Sequence, residues 1–120
     1  MKILQLHNSY IYRGGEDAVV ELEKNLLSEY GHSVFQLKRE NKSEIRNLKD
    51  KLKVAANLSY SNRSKTFVDN EIKKFKPDLA HIHNFFPLWT TSIFDACIEN
   101  NIPIVLTLHN YRTICANGLF

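Results

Sequence analysis

Three apolar runs in this chain end in the same dipeptide, His-Asn. They are Ile3–Leu6 before His7-Asn8, Leu79–Ile82 before His83-Asn84, and Ile104–Leu108 before His109-Asn110. If the runs are parallel strands, their carboxyl ends meet at one edge of a sheet, where open α/β sheets bind ligands. The sequence therefore predicts that three imidazoles and three carboxamides line one crevice, as in a site for a polar ligand.

The rest of the pattern alternates strands with helices. Strands are predicted at Ile3–His7, Ser33–Leu37, Asp78–His83 and Ile104–His109, and helices at Glu16–Tyr30, from an N-cap at Ser43, at Ser64–Phe75 and at Thr90–Glu99. In the first helix Val19, Leu22, Leu26 and Tyr30 recur at helical spacing, and Gly31 is a stop signal. Strands separated by helices predict a Rossmann-like α/β fold, a parallel sheet with helices on both faces. The last two apolar runs fit strands that are buried on both sides.

Composition narrows the class of protein. The 120 residues form one domain, and no apolar stretch approaches the roughly 20 residues of a membrane-spanning helix. The start lacks the pattern of a signal peptide, and two cysteines are too few for a disulfide framework, so we expect a cytoplasmic protein. Residues 111–120 leave the last strand without a closing helix, which predicts a fragment cut inside a larger domain. An unpaired strand edge would favour a homodimer.

The net charge of +3 is unevenly distributed. The stretch from Lys38 to Lys65 contains nine basic and only three acidic residues. The basic residues are Lys38, Arg39, Lys42, Arg46, Lys49, Lys51, Lys53, Arg63 and Lys65, and the acidic ones are Glu40, Glu44 and Asp50. This stretch could contact anionic lipid at a membrane surface, or it could be a solvated helix face. No nucleic-acid-binding motif accompanies it, so nucleic acid is not expected as a partner.

Two glycines follow the first strand and precede the first helix. Gly14 and Gly15 would let the backbone approach a phosphate or a sugar hydroxyl, next to the free N–H groups of the helix start. Neither the dinucleotide-binding motif GxGxxG nor the P-loop motif GxxxxGK[ST] is present. The negative charges of Glu16 and Asp17 also disfavour anion binding at this helix end. It is equally expected that the Gly14-Gly15 segment is only a tight turn and binds no ligand.

Other candidates come from the histidines and the aromatic residues. His109, at the end of the most apolar strand, could donate to a sugar hydroxyl or stabilise developing charge, or it could simply cap the strand. We predict no metal site at His81-x-His83, because no carboxylate has a fixed spacing to the pair. Cys115 is expected to be an ordinary loop thiol. The Phe85–Trp89 loop could form a stacking wall for a sugar ring or an acyl chain, or it could pack against a missing part of the domain.

Several segments, taken in order, resemble the N-terminal domain of the GT-B, family 4 glycosyltransferases. They are Met1–Asn8 with Arg13-Gly14-Gly15-Glu16-Asp17, Lys76–Asn84, Thr107–Arg112 and Cys115–Phe120. The resemblance spans essentially the whole chain. It implies two Rossmann-like domains with a cleft between them, of which residues 1–120 are the truncated acceptor-side domain.

The resemblance also implies an activity and site residues. The activity is retaining, metal-independent transfer of a sugar from a nucleotide-sugar to a glycan or lipid-linked acceptor, in the synthesis of cell-surface polysaccharide, with no cofactor. Gly14 and Gly15 match positions that approach the donor diphosphate or the reacting sugar, and His109 matches a catalytic histidine beside the transferred sugar. Asn110, His83 and Asn84 are further substrate-binding candidates, although the family often has Asp where this chain has Asn110. Without its donor domain the fragment is expected to be inactive. A non-catalytic Rossmann-like module that binds a nucleotide or polar metabolite is the alternative.

Overall fold

The computed structural model describes residues 1–9, 14–40, 47–56 and 59–111, except the side chain of Lys53. Strands β1 to β4 cover Lys2–Ser9, Ser33–Glu40, Leu79–Ile82 and Ile104–Leu106. Helices α1 to α4 cover Gly15–Glu29, Leu48–Ala56, Asn62–Phe75 and Ser92–Glu99. The four strands form one sheet in the order β2-β1-β3-β4, and every pairing is parallel. The predicted parallel α/β sheet is confirmed.

Capping residues explain where helix α3 begins and ends. It begins at Asn62, two residues earlier than the predicted Ser64, because Ser61 is the N-cap and its hydroxyl accepts from the Ser64 N–H at 3.2 Å. It ends at Lys76, whose φ of 51° is left-handed and whose N–H donates to the Ile72 carbonyl. Pro77 follows and cannot continue a helix.

The hydrophobic core lies between one face of the sheet and helices α3 and α4. Leu4, Leu6, Ala80 and Ile82 from the strands pack there with Val68 and Ile72 of α3 and with Ile93, Ala96 and Cys97 of α4. Helix α1 covers the opposite face, where the Gln5 amide donates to the Val20 carbonyl. Helices therefore lie on both faces of the sheet, as predicted.

Two details of the packing differ from expectation. Strand β4 is short and half open, with Val105 46% and Leu106 38% exposed, so the prediction of a strand buried on both sides is wrong there. No further strand covers its outer side within the described ranges. On α1 the apolar stripe faces solvent, and the helix packs instead through Asp17 and Val20. The predicted stop at Gly31 is confirmed by its φ of 82°.

Some expectations concern segments outside the described residues. The N-cap at Ser43 belongs to residues 41–46, and the thiol of Cys115 belongs to residues 112–120. The expectation of a chain cut inside a larger domain rests on residues 111–120, of which only Tyr111 is described. In the part of the chain that the structure describes, no helix is both long enough and apolar enough to cross a membrane.

Candidate functional site

The three His-Asn motifs meet at one edge of the sheet, since β1, β3 and β4 are neighbours. The Asn8 N–H donates to the Asn84 carbonyl at 2.6 Å. The Asn110 side-chain amide donates to Oδ1 of Asn84 at 3.1 Å. Nδ1 of His83 lies 2.9 Å from Nε2 of His109, and the two rings stack with centroids 5.2 Å apart. The predicted residues that follow β3 and β4 are therefore in direct contact, although β4 ends at Leu106 and not at the predicted His109.

These motifs do not line an open crevice, and that part of the prediction is wrong. His7 is 0% exposed and His83 is 1% exposed, because both imidazoles lie on the α1 side of the sheet and the helix covers them. Only His109 and Asn110 are half-buried at the surface. The accessible part of the site is therefore the end of β4, supported by buried residues of β3.

A chain of amide and imidazole hydrogen bonds leads to His109. Nε2 of Gln36 donates to Oε1 of Gln5 at 2.9 Å. The Val20 carbonyl can only accept, so the Gln5 atom that faces it must be the NH₂ group, which also lies 3.1 Å from Nε2 of His83. Nε2 of His83 is therefore the acceptor, and its Nδ1–H donates to Nε2 of His109. In this assignment the neutral His109 ring carries its own proton on Nδ1.

Burial keeps His83 neutral. Loss of hydration, together with the neighbouring imidazoles of His81, His109 and His7, lowers the pKa of His83 to about 3. Burial also lowers the pKa of His81, against the opposing effect of Glu23. His83 therefore acts on His109 as a neutral hydrogen-bond donor that fixes the tautomer, and not as a charge.

A second buried cluster fixes the start of α1 to β1. Oδ1 of Asp17 accepts from Nε2 of His7 at 3.0 Å and from the Ser9 hydroxyl, and Nζ of Lys38 lies 3.6 Å away. Burial by itself would raise the pKa of Asp17, but the hydrogen bonds from Ser9 and His7 outweigh it and the pKa is lowered. Burial lowers the pKa of His7 more than Asp17 raises it. The pair is thus a carboxylate with a neutral imidazole.

The glycine turn lies close to these motifs. The Gly14 N–H donates to Oδ2 of Asp17 at 3.4 Å, which holds the turn against the helix start. A Cβ at Gly14 would lie 2.9 Å from Oε2 of Glu16, whereas nothing lies within 4 Å of one at Gly15. The same Glu16 carboxylate accepts from Nδ2 of Asn84 at 3.3 Å. The glycine turn therefore lies close to the polar side chains of Asn84 and Asn110. The Glu16 carboxylate occupies part of the space between Gly14 and Asn84.

The aromatic loop packs inside the domain. Trp89 is 2% exposed, its indole N–H donates to the His7 carbonyl at 3.2 Å, and its ring lies 5.9 Å from that of Phe67. Trp89 is thus held in the core, and its side chain also lines a neighbouring cavity. Next to it, a cavity of about 290 Å³ opens on the α3 side of the sheet edge. Its lining residues are Leu37, Lys38, Arg39, Arg63, Ser64, Phe67 and Trp89.

Sequence reasoning missed Glu23. Its carboxylate Oε2 lies 3.2 Å from Nε2 of His83 and 3.8 Å from Nδ1 of His81. The signal was present, because Glu23 lies three residues after Val20 and therefore on the same helix face. Nothing in the sequence alone showed that this face, and not the apolar one, meets the sheet.

The chain matches no protein-family model, no curated protein and no solved structure. The fold itself defines the class, an α/β protein with an all-parallel four-stranded sheet, consistent with a Rossmann-like domain. The site consists of a surface histidine and asparagine at the end of β4, held by a buried polar network.

Proposed function

We propose that this chain is the N-terminal, acceptor-side domain of a retaining GT-B glycosyltransferase of family 4. The observation that carries the proposal is the contact of His83 with His109 and of Asn84 with Asn110 at the carboxyl edge of the sheet, beside the Gly14-Gly15 turn. That edge is where parallel α/β sheets bind ligands. The motif resemblance supplies the activity, which is sugar transfer in cell-surface polysaccharide synthesis.

In this proposal His109 binds the transferred sugar. Its Nε2 accepts from His83, so its Nδ1–H is the group that can donate to a sugar hydroxyl. Asn110 adds neutral amide groups, so substrate binding here relies on hydrogen bonds and not on a carboxylate. Gly15, with open space around it, permits close approach of the backbone to the donor.

The reaction exchanges one bond at the anomeric carbon of the sugar. The bond to the diphosphate oxygen breaks, and its electron pair leaves with the nucleotide diphosphate. A bond to the acceptor hydroxyl oxygen forms on the same face, and the hydroxyl proton passes to the departing phosphate oxygen. The bulk of the nucleotide would bind to a second domain outside these 120 residues, and the transfer needs no metal.

The membrane surface is a further proposed partner, through the basic stretch from Lys38 to Lys65. In its described part, Lys49 and Lys51 of α2 are exposed, and so is Arg63. Such cations would attract anionic headgroups near a lipid-linked acceptor. Sedimentation with anionic and with neutral vesicles tests this proposal, and the absence of salt-sensitive binding would contradict it.

One observation favours the alternative, a non-catalytic module that binds a polar metabolite. The Glu16 carboxylate lies against the Gly14 turn and is bonded to Asn84, where it would repel a diphosphate. A neutral metabolite that hydrogen-bonds to His109 and Asn110 would meet no such repulsion.

Nucleotide release from UDP-, GDP- and ADP-sugars tests the proposal, with the full-length protein that carries this sequence and candidate acceptors. We expect release from one donor, at least a hundredfold slower in His109→Ala (about 3 kcal/mol of barrier). His32→Ala is the matched control, because His32 lies at the opposite end of the sheet beside the Met1 amino group. If the folded protein releases nucleotide from no donor, the binding module becomes the better proposal. Equal release by His109→Ala and wild type would remove His109 from the site.

A further inference from the structure

Three atoms that carry lone pairs converge between α1 and β3. They are Oε2 of Glu23, Nδ1 of His81 and Nε2 of His83, and all lie within 4.8 Å of one another. Oε2 of Glu23 is 3.2 Å from the His83 nitrogen and 3.8 Å from the His81 nitrogen. The cluster lies on the side of His83 that is turned away from His109.

The hydrogen bonds around this cluster leave no proton between Glu23 and His83. Nε2 of His83 accepts from the Gln5 amide, whose orientation the Val20 carbonyl fixes, so this nitrogen carries a lone pair and not a hydrogen. A metal ion would use that same lone pair, so the Gln5 amide would give up its bond to His83 and keep the one to Val20. Oε2 of Glu23 is buried, and no donor bonds to it among the described residues. A carboxylate oxygen and an imidazole lone pair therefore lie 3.2 Å apart with no hydrogen between them. The two electron-rich atoms repel each other, and a cation that binds both would remove this repulsion.

We propose that Glu23, His81 and His83 bind one divalent transition-metal ion of the zinc class. Zn²⁺ bonds to histidine nitrogen and carboxylate oxygen at about 2.0–2.2 Å, which puts neighbouring ligands of a tetrahedral site roughly 3.3 Å apart. The two distances from Oε2 of Glu23, 3.2 and 3.8 Å, are close to that separation. Two imidazoles favour zinc over Mg²⁺ or Ca²⁺, which prefer oxygen ligands.

The second nitrogen of each histidine already has the partner that a metal ligand needs. Nε2 of His81 lies 2.8 Å from the Thr107 hydroxyl, and Nδ1 of His83 lies 2.9 Å from Nε2 of His109. Such outer hydrogen bonds orient the ring and fix which nitrogen faces the metal. Glu23 is 34% exposed as a side chain, so an ion can reach the site from solvent.

The ion would tie α1 to the middle of the sheet. Helix α1 otherwise buries only Asp17 and Val20, so a metal bond through Glu23 would add a third anchor two turns into the helix. Three protein ligands leave a fourth position for water. This site does not depend on the sugar-transfer proposal, in which transfer needs no metal.

Calorimetric titration of the chelator-treated protein with zinc chloride tests the site. We expect one equivalent to bind, and Glu23→Gln to weaken binding at least about tenfold, because the amide keeps the shape and loses the charge. Glu21→Gln is the matched control, an exposed position on the same helix, and should bind as wild type does. Thr107→Val, which removes only the outer hydrogen bond to His81, should weaken binding by about 10–100-fold.

Cobalt(II) distinguishes these ligands from the cysteines. We expect a four-coordinate cobalt spectrum without a thiolate charge-transfer band, and the spectrum should be lost in His81→Ala with circular dichroism unchanged. No zinc binding by the wild type, a thiolate band, or equal zinc affinity in Glu23→Gln and wild type would each overturn the proposal.

Discussion

Leu4 and Gln5 are neighbours on β1, both 0% exposed, and they face opposite sides of the sheet. Leu4 packs in the hydrophobic core beneath α3 and α4. Gln5 belongs to the hydrogen-bonded network beneath α1, with Gln36, Val20 and His83. The same strand thus builds an apolar layer on one side and a buried polar layer on the other.

The difference between the two faces assigns them different tasks. The apolar face gains free energy in proportion to the area it buries, whatever the orientation of its groups. The polar face gains little net stability, because its groups exchange bonds with water for bonds with each other, but every group must be oriented. The candidate site and the proposed metal ligands all lie on the polar side or at its edge. Stability should therefore depend most on the apolar face, and function on the other.

The largest effect on stability should come from truncating the apolar face. Leu4→Ala leaves a cavity at a side chain that is 0% exposed, and we expect it to lower the free energy of unfolding by about 2–5 kcal/mol. Leu22→Ala on the exposed stripe of α1 is the control, with an expected change within about 0.5 kcal/mol. Urea denaturation measures both. If both variants lower the free energy of unfolding by similar amounts, the apolar core does not lie between the sheet and helices α3 and α4.

The polar face should make stability fall in acid. His7 has a lowered pKa in the folded chain, so the unfolded chain takes up this proton first as the pH drops below about 6.5, and unfolding becomes easier. Between pH 7.5 and 5.5 this one imidazole should therefore lower the free energy of unfolding, by at most about 1.4 kcal/mol, the limit for one proton that only the unfolded chain takes up. Burial is the largest cause of the lowered pKa of His7; Asp17 of α1 opposes it, and Lys38 of β2 and His109 beyond β4 add to it.

Denaturation with a chelator present at both pH values measures this dependence. His7→Gln removes one of three imidazoles whose pKa burial lowers, so it should reduce but not abolish the change between the two pH values, because His81 and His83 remain. Asp17 also has a lowered pKa, so its contribution is lost only at lower pH, as its carboxylate takes up a proton below about 4. If His7→Gln keeps the full pH dependence, burial of His7 is not its source.

Much of the fold could be predicted from the sequence, since long apolar runs and stop signals have local causes. The order of strands and helices, the parallel sheet and the stop at Gly31 follow from such signals. Strand β4 did not behave as its apolar run predicted, because Val105 and Leu106 lie at an open edge. Burial on both sides depends on what covers a strand, and that is not a property of its own residues.

Less of the candidate site could be predicted. Parallel pairing brings the ends of β3 and β4 together, and the segment that follows β4 then brings His109 to His83 and Asn110 to Asn84. The burial of His7 and His83, and the carboxylate of Glu23 against them, depend on which face of α1 meets the sheet. On that point the sequence was misleading, because hydrophobic periodicity favours an apolar stripe that here faces solvent.

A pair of neighbouring valines tests that orientation of α1. Val19 is 40% exposed and Val20 is 1% exposed, so two neighbouring residues of the same type lie on different faces of one helix. Val20→Ala should lower the free energy of unfolding by about 1–2 kcal/mol, because two buried methyl groups are lost beside Gln5. Val19→Ala should be neutral or stabilise by up to about 0.5 kcal/mol, because Ala is the better helix former and little contact is lost. Both variants carry the same chemical change in the same helix, so Val19→Ala is the control for Val20→Ala. A larger loss for Val19→Ala would mean that the apolar stripe packs on the sheet, which would turn Asp17 and Glu23 towards solvent and remove the polar network beneath α1.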